Sequence, residues 1–233
     1  MGTRDSRHAF LGAGPIVSAR RLPLLLDAHR AALAACRRCG HGDPRVLPIL
    51  SEARRPRVML VGQAPGKSEV EGRRAFAGRA GRTLFRWLDR AGLDEPTFRH
   101  EAYIAAITRC YPGPSPSGRG DRVPSLDEQA HCSPWLDAEL DLIRPALIIP
   151  VGRLAIDRFL GGQPLDRLVG RVHHAPVRGR RATLIPLPHP SGASSWVNLP
   201  ANRVLLDRAL DHLRTAFAEL GVRDSRRATR QSA

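Results

Sequence analysis

The stretch Arg57-Val58-Met59-Leu60-Val61-Gly62-Gln63-Ala64-Pro65-Gly66 decides the fold of this chain. After Arg57, residues 58–61 form a short apolar run, which is typical of a buried strand, and Gly62 ends that run. The glycine- and proline-containing segment that follows predicts a loop at the carboxyl end of the strand. Open α/β sheets bind ligands at such ends, so the stretch predicts both a parallel sheet and a site.

A second loop of the same kind, His189-Pro190-Ser191-Gly192, lies more than a hundred residues further along the chain. It follows residues 183–187, an apolar run that predicts another strand. Because parallel strands end at the same edge of a sheet, we expect the two loops to face one pocket.

Strand and helix patterns alternate through the rest of the chain. Apolar spacing also predicts strands over residues 103–108 and 146–151, and helices over residues 22–37, 84–91, 125–143, 154–160 and 201–220. Ser125 and Glu128 predict a capping box at the start of the third helix, which Pro134 is expected to perturb. This order predicts a three-layer α/β/α sandwich with a central, mainly parallel, four-stranded sheet.

The chain has 233 residues, 42% of them hydrophobic, which suits one well-buried domain better than two. We assign residues 21–220 to that domain and expect flexible segments at residues 1–20 and, rich in arginine, at residues 221–233. No apolar run is long enough to span a bilayer, and the N-terminus lacks the core of a secretory signal. We therefore expect a cytoplasmic protein without membrane contact, and a monomer.

The charge balance points to a polyanionic partner. The formal net charge is +15, from 37 basic and 22 acidic residues, which predicts a positive field that attracts DNA or RNA. Lys67 is the only lysine, as a GC-rich genome would produce. That bias explains the choice of arginine, but it does not explain the surplus of basic over acidic residues.

The four cysteines suggest a metal site. In a reducing compartment they are poor candidates for disulfides, and Cys36-x-x-Cys39 can hold a metal from one turn. Cys110 and Cys132 lie within one loop-plus-helix unit and can complete a four-thiolate shell. Zinc and a four-iron cluster both fit this ligand set, and four unrelated buried thiols are the alternative.

These motifs together resemble the uracil-DNA glycosylase superfamily, and within it the iron–sulfur branch called family 4, with some features of family 5. Gly62-Gln63-Ala64-Pro65-Gly66 is similar to that branch's Gly-Glu-Ala-Pro-Gly motif, and residues 75–81, AFAGRAG, are similar to its PFVGRAG segment. His189-Pro190-Ser191 is similar to the second motif of the superfamily. The likeness covers approximately residues 25–213.

The resemblance implies a monofunctional DNA glycosylase that flips uracil or a related damaged base out of DNA, hydrolyses its N-glycosidic bond and so starts base-excision repair. It also implies that the four cysteines hold a [4Fe–4S] cluster. By the same resemblance the catalytic positions are His189 and Gln63, the substrate-binding positions are Phe76, Gly62, Ala64, Gly78, Ala106 and Ser191, and the DNA-binding positions include Trp196, Arg79 and Arg82.

Specific tasks follow for several of these residues. Phe76 is the expected stacking platform for the flipped base, and His189 is the expected donor to the developing base anion. Trp196 is the candidate wedge that fills the gap in the DNA, with packing under a helix as the alternative. A Schiff-base mechanism is not expected, since Lys67 is the only lysine.

Two positions depart from the family pattern. Gln63 replaces a carboxylate, and a neutral amide orients water but does not accept its proton. Glu69 or Glu71 is expected to supply that charge unless the reaction is largely dissociative. Ala106 replaces an asparagine that reads the uracil edge, as in family 5, which predicts a broader choice of base.

These departures leave two other functions open. One is an iron–sulfur module of glycosylase shape that recognises lesions or abasic sites with little or no turnover. The other is a zinc-bound nucleotide hydrolase.

Overall fold

Alternate residues of the first strand, β1 (Val58–Gly62), face opposite sides of a central sheet. Val58 and Leu60 pack on one side, Met59 and Val61 pack on the other, and all four are buried. Since both faces of the strand are covered, it is apolar throughout.

The protein is described by a computed structural model that covers residues 20–39, 47–117, 120–191 and 195–222.

The described sheet has five strands in the order β2-β1-β3-β5-β4. The further strands are β2 (Ala102–Ala106), β3 (Leu147–Pro150), β4 (His173–Val177) and β5 (Arg180–Leu184). All neighbouring strands are parallel except β4, which is antiparallel to β5. β2 and β3 lie on opposite sides of β1, and such a change of direction opens a crevice at the carboxyl ends of the strands.

Helices cover both faces of the sheet. One face packs against α1 (Leu22–Ala34), α5 (Leu126–Ile143) and α6 (Arg153–Leu160), and the other against α3 (Arg79–Arg90), α4 (Glu95–Glu101) and α8 (Pro200–Glu219). The shorter elements are α2 (Lys67–Gly72), α7 (Leu165–Leu168) and a 3-10 helix (Ser195–Asn198). The predicted three-layer α/β/α class with a mainly parallel sheet is confirmed.

One strand was not predicted, so the sheet has five strands and not four. β4 contains two histidines and Pro176, and a strand with proline is tolerated only at a sheet edge. Arg178 and Gly179 join β4 to β5 with φ of 50° and 73°, the left-handed values of a tight hairpin turn. Because of its polar residues and its proline, this edge strand lacks the apolar pattern from which the other strands were predicted.

The predicted bounds differ in places from the observed ones. α1 ends at Ala34 and not at Arg37, and β5 ends at Leu184, although Leu187 still forms an isolated parallel bridge with Val151. The capping box of α5 is present: Ser125 Oγ accepts from the backbone N–H of Glu128 at 3.2 Å, and the Glu128 carboxylate accepts from that of Ser125 at 2.7 Å.

The ends of the chain are largely outside this description. Of the segments expected to be flexible, only Arg20, Gly221 and Val222 belong to the described residues. Among all the residues that the structure describes, no helix is both long enough and apolar enough to cross a membrane.

Candidate active site

A cleft of about 630 Å³, measured out to its open mouth, lies at the carboxyl edge of the sheet. Gly62 and Ala64 line it from the end of β1, Ala106 from the end of β2, and His189 from the segment after β5. Phe76, from the connection between α2 and α3, lines the same cleft. Two residues far apart in the sequence, Phe76 and His189, therefore share one cavity.

Phe76 is held in an unusual backbone conformation. Its φ is +55°, a left-handed value that non-glycine residues rarely adopt. A Cβ on Gly62 would lie 3.0 Å from the ring atom Cζ of Phe76, and a Cβ on Gly81 would lie 1.8 Å from the Phe76 carbonyl oxygen. The absence of side chains at both glycines thus allows the ring to face the cleft.

Arg99 fixes the same segment from behind. Its guanidinium donates to the carbonyl oxygens of Ala75 at 2.9 Å and Phe76 at 3.5 Å, and its side chain is 8% exposed. Glu95 pairs with Arg99 at 2.7 Å, and the guanidinium lies 4.4 Å from the centre of the Phe85 ring. A buried arginine with satisfied partners of this kind holds a strained loop in place.

His189 has a defined tautomer. The backbone N–H of Ser191 donates to Nδ1 at 3.2 Å, and the Ser191 hydroxyl lies 2.8 Å from the same nitrogen. Because a backbone N–H only donates, Nδ1 accepts and the proton of the neutral ring is on Nε2. Burial lowers the pKa of His189, which favours this neutral form. Ser191, predicted to bind substrate, therefore contacts the histidine.

Gly152 supports the imidazole ring. It is the N-cap of α6, directly beyond β3, with φ of +82°. A Cβ on Gly152 would lie 3.0 Å from Cδ2 and 3.4 Å from Cβ of His189. The ring therefore packs on a bare backbone surface that only glycine supplies, which sequence reasoning did not find.

Replacing Gly152 by alanine should displace His189, which the resemblance implies is catalytic, and lower the implied base release by at least about tenfold, because small misplacements of a catalytic group are costly. Gly161→Ala is the matched control: it is the C-cap of the same helix, its φ is +76°, and nothing lies within 4 Å of the added methyl. Steady-state rates and melting temperatures of both variants separate the two effects. Equal rates for the two variants would contradict the role of Gly152.

The lowered pKa of His189 predicts a loss of stability in acid. Below about pH 6.5, the ordinary pKa of histidine, the unfolded chain takes up a proton that the folded chain resists, so the stability falls as the pH falls. The melting temperature of the wild type should drop more between pH 7.5 and pH 5 than that of His189→Gln. The exposed His174→Gln serves as control, and equal drops in all three proteins would refute the expectation.

Glu69 ties the two loops of the cleft together. Its Oε2 accepts from the backbone N–H of Gly66 at 2.9 Å, and its Oε1 accepts from that of Gly78 at 3.0 Å. The N–H of Gly78 is thus engaged by Glu69 and not turned to a ligand. Gln63 is half-buried beside the cleft but is not among its lining residues.

The residues predicted to contact DNA lie in two places. Arg79 and Arg82 are exposed in the first turn of α3, next to Ala80, which lines the cleft. Trp196 lies in the 3-10 helix and packs, partly buried, against the core. Residues 192–194 of that loop are outside the described residues.

The four cysteine thiols interact with one another. Burial and the neighbouring thiols Cys39, Cys132 and Cys36 raise the pKa of Cys110 to about 12. Burial likewise raises the pKa of Cys132 to about 11, while Arg109 opposes the shift. Within the described ranges, no group of three or more cysteine, histidine, aspartate or glutamate side chains has a geometry that could hold a metal ion.

The chemistry of this thiol set fits a metal or an iron–sulfur cluster. Four neighbouring thiolates need a cationic partner, since each raises the cost of ionising the others. Two sulfurs already accept N–H donors: Cys36 Sγ from Trp135 Nε1 and Cys132 Sγ from the Arg109 backbone, both at 3.3 Å. Donors of this kind are typical around cluster sulfurs.

Sequence reasoning gave no substrate role to two further residues that line the cleft, Arg109 and Asp121. Arg109 is 2% exposed and forms a buried ion pair with Glu139, which also accepts from the Tyr103 hydroxyl at 2.8 Å. Asp121 follows a glycine- and proline-rich loop that carries no periodic signal. A charge in such a loop has no recognisable pattern before the chain folds.

The sheet topology and the cleft at its carboxyl edge define an α/β protein with a ligand-binding crevice at its strand ends, and comparison with known families specifies it. Residues 49–214 match the family model described as the uracil DNA glycosylase superfamily. The chain belongs to this superfamily.

Individual relatives are moderately similar. The type-4 uracil-DNA glycosylase of Thermotoga maritima is 31% identical over 138 residues, which are 58% of this chain and 65% of that protein. The type-4 enzyme of Saccharolobus solfataricus is 28% identical over 188 residues, 77% of this chain and 81% of that protein. The type-5 enzyme of Pyrobaculum aerophilum is 27% identical over 179 residues, 71% and 73% respectively. The chain thus spans slightly less than two thirds of the Thermotoga protein.

Proposed function

We propose that this protein is a monofunctional DNA glycosylase that extrudes uracil or a related deaminated base and hydrolyses its N-glycosidic bond. The observation that carries this proposal is the common cleft of Phe76 and His189. Membership of the superfamily and the names of the type-4 relatives support it.

In this proposal the flipped base stacks on Phe76. An enzyme that acts on a base within DNA must remove it from the stack, and an aromatic face replaces part of the lost stacking energy. The φ of Phe76 is set by Gly62, Gly81 and Arg99, so the platform is in place before DNA binds. Such preorganisation avoids the cost of ordering the loop on binding.

His189 stabilises the departing base. As the N-glycosidic bond breaks, positive charge develops on the sugar and negative charge on the base. The proton on Nε2 points away from the Ser191 contacts at Nδ1 and is free to bond to a base oxygen. A neutral imidazole is sufficient for this task, because the step needs a directed donor and not a transferred proton.

The recognition of the base is expected to be permissive. Ala106 pairs in register with Gly62 at the ends of β2 and β1, where its methyl group lines the cleft without a polar side-chain atom. A site that reads a base through a side-chain amide rejects near-isosteres strongly, and this position lacks that amide. We propose that hydroxymethyluracil, hypoxanthine or xanthine is accepted beside uracil.

DNA contacts are proposed for the rim of the cleft. Arg79 and Arg82 in the first turn of α3 are placed to bind phosphates on either side of the extruded nucleotide. The net charge of +15 adds a long-range attraction that weakens with salt. Lys67 is exposed on α2 and does not line the cleft, which supports hydrolysis without strand cleavage.

The four cysteines, Cys36, Cys39, Cys110 and Cys132, are the proposed ligands of a [4Fe–4S] cluster, with zinc as the alternative. When bound, the cluster would cross-link α1, the end of β2 and α5. The backbone N–H of Arg109 donates to Cys132, and Arg109 also lines the cleft. The cluster would therefore stabilise one wall of the cleft and take no part in the chemistry.

Base release tests the proposal directly. Wild-type protein should release free uracil from DNA in excess of one equivalent, and His189→Ala should be slower by about 100- to 1000-fold, the usual effect of removing one such donor. His174→Ala, at the exposed sheet edge, should retain the wild-type rate. The assay should include the other three bases in single- and double-stranded DNA.

One result would contradict the glycosylase activity, and another would contradict only the permissive recognition of the base. Release that never exceeds one equivalent, together with tight binding to damaged or abasic DNA, would favour the lesion-binding module, which the neutral Gln63 and the small Ala106 also fit. Release confined to uracil would leave the glycosylase in place but refute the permissive pocket.

The cofactor proposal has its own test. Protein purified without oxygen should be brown and contain about four iron atoms and four sulfides per chain. Cys132→Ser should lose most of the iron and melt at a lower temperature, whereas Ser133→Ala on the same helix should retain both. A colourless protein with one zinc ion per chain would contradict the cluster.

A further inference from the structure

We infer that Asp121 accepts the proton of the water that attacks the sugar, as a substitute for the carboxylate that Gln63 has replaced. This assignment rests on the glycosylase function proposed above and adds a catalytic residue to it. Asp121 comes from the loop before α5, remote in sequence from Gln63.

The nearby glutamates are poorly suited to this task. Both carboxylate oxygens of Glu69 already accept backbone N–H groups, from Gly66 and Gly78. Removing a water proton would compete with these bonds, which hold the two loops together. Glu71 does not line the cleft, whereas Asp121, although exposed, does. Gln63 carries an amide, which has no basic oxygen at neutral pH.

Asp121 lies where a base is needed. It lines the cleft with Phe76 and His189, and its Oδ2 is 2.6 Å from the point where a Cβ on Gly66 would lie. The carboxylate therefore reaches over the backbone of the first loop, an approach that a side chain at position 66 would block. The approach brings a negative charge from a different loop next to the Gly62–Gly66 segment.

The position of Asp121 is fixed by its own loop. Asp121 forms an isolated antiparallel bridge with Pro114, and the N–H of Arg122 donates to the Gly113 carbonyl at 3.1 Å. The Tyr111 hydroxyl donates a hydrogen bond to the Asp121 carboxylate. Among the described residues, this hydrogen bond orients the carboxylate, and it leaves lone pairs for a water molecule.

Asp121 shares the cleft with other charged and ionisable groups. Arg109, which is paired with the buried Glu139, lines the same cleft, and His189 is neutral. Asp121 Oδ2 and Glu69 Oε2 lie 2.6 Å and 2.8 Å from the point where a Cβ on Gly66 would be. A base of this kind commonly contributes 100- to 10,000-fold to a rate.

Departure of the base and attack of water both take place at C1′ of the sugar. The bond between C1′ and the base nitrogen breaks, and its electron pair leaves with the base as an anion that accepts a hydrogen bond from His189 Nε2. The water oxygen bonds to C1′ while Asp121 takes one of its protons. The products are the C1′ hydroxyl of an abasic site and the base, which is later protonated through solvent.

Single-turnover release of uracil from DNA tests the assignment. Asp121→Asn keeps the shape and the bond from Tyr111 but has no basic oxygen, so the rate should fall by about 100-fold while the Kd for DNA changes little. Asp127→Asn, an exposed aspartate on α5, is the matched control and should retain the wild-type rate. In the double variant Gln63→Glu with Asp121→Asn, a carboxylate returns at the first loop, and the rate should rise at least tenfold above that of Asp121→Asn.

Two results would overturn the assignment. If Asp121→Asn retains a rate within about threefold of the wild type, a water-positioning group is enough and no base is required. If its DNA affinity and melting temperature fall as much as its rate, Asp121 only shapes the cleft. Wild-type protein that releases no base would instead overturn the proposed function, whatever Asp121 does.

Discussion

The site depends on the close approach of two rings to bare backbone. The imidazole of His189 packs on Gly152 and the ring of Phe76 packs on Gly62, each at the carboxyl end of a parallel strand. A side chain at either glycine would occupy the volume that the ring now fills. Because β1 and β3 are neighbours in the sheet, the two rings are brought to one cleft by backbone geometry, without flexible side chains between them.

Charge is arranged around this frame with separate tasks. Arg99 and Glu69 hold the loops of the cleft in place. Arg99 donates to the carbonyl oxygens of Ala75 and Phe76. Glu69 accepts from the backbone N–H groups of Gly66 and Gly78. His189 is kept neutral by burial, with its proton on the nitrogen that is free to donate. Of the two acidic residues that line the cleft in the described part of the chain, Glu69 holds the loops together and Asp121 does not.

Much of the fold could be predicted because the buried strands are continuous apolar runs. Residues 58–61 and 146–151 are such runs, and the capping-box residues Ser125 and Glu128 are local signals. The edge strand β4 was missed because its histidines and Pro176 are tolerated only where one side of the strand is unpaired. Tertiary pairing with β5, which sequence periodicity does not carry, makes it a strand.

The site was predicted in part for the same reason. Phe76 and His189 lie in short motifs at strand ends, and such motifs are visible in the sequence. Gly152 and Asp121 could not be recognised from the sequence. The role of a supporting glycine, or of a charge in an irregular loop, depends on the residues that pack against it in the folded chain. Gln63 and Ala106 were recognised as departures, but the group that compensates for Gln63 could only be sought once the cleft was known.

The most direct test of the account is a crystal structure of the protein with DNA that contains 2′-fluoro-2′-deoxyuridine, which resists cleavage. The account predicts that the uracil lies outside the helix, stacked on Phe76, with one of its oxygens within hydrogen-bonding distance of His189 Nε2. A uracil that remains stacked in the duplex, or one extruded into a different cavity, would contradict it.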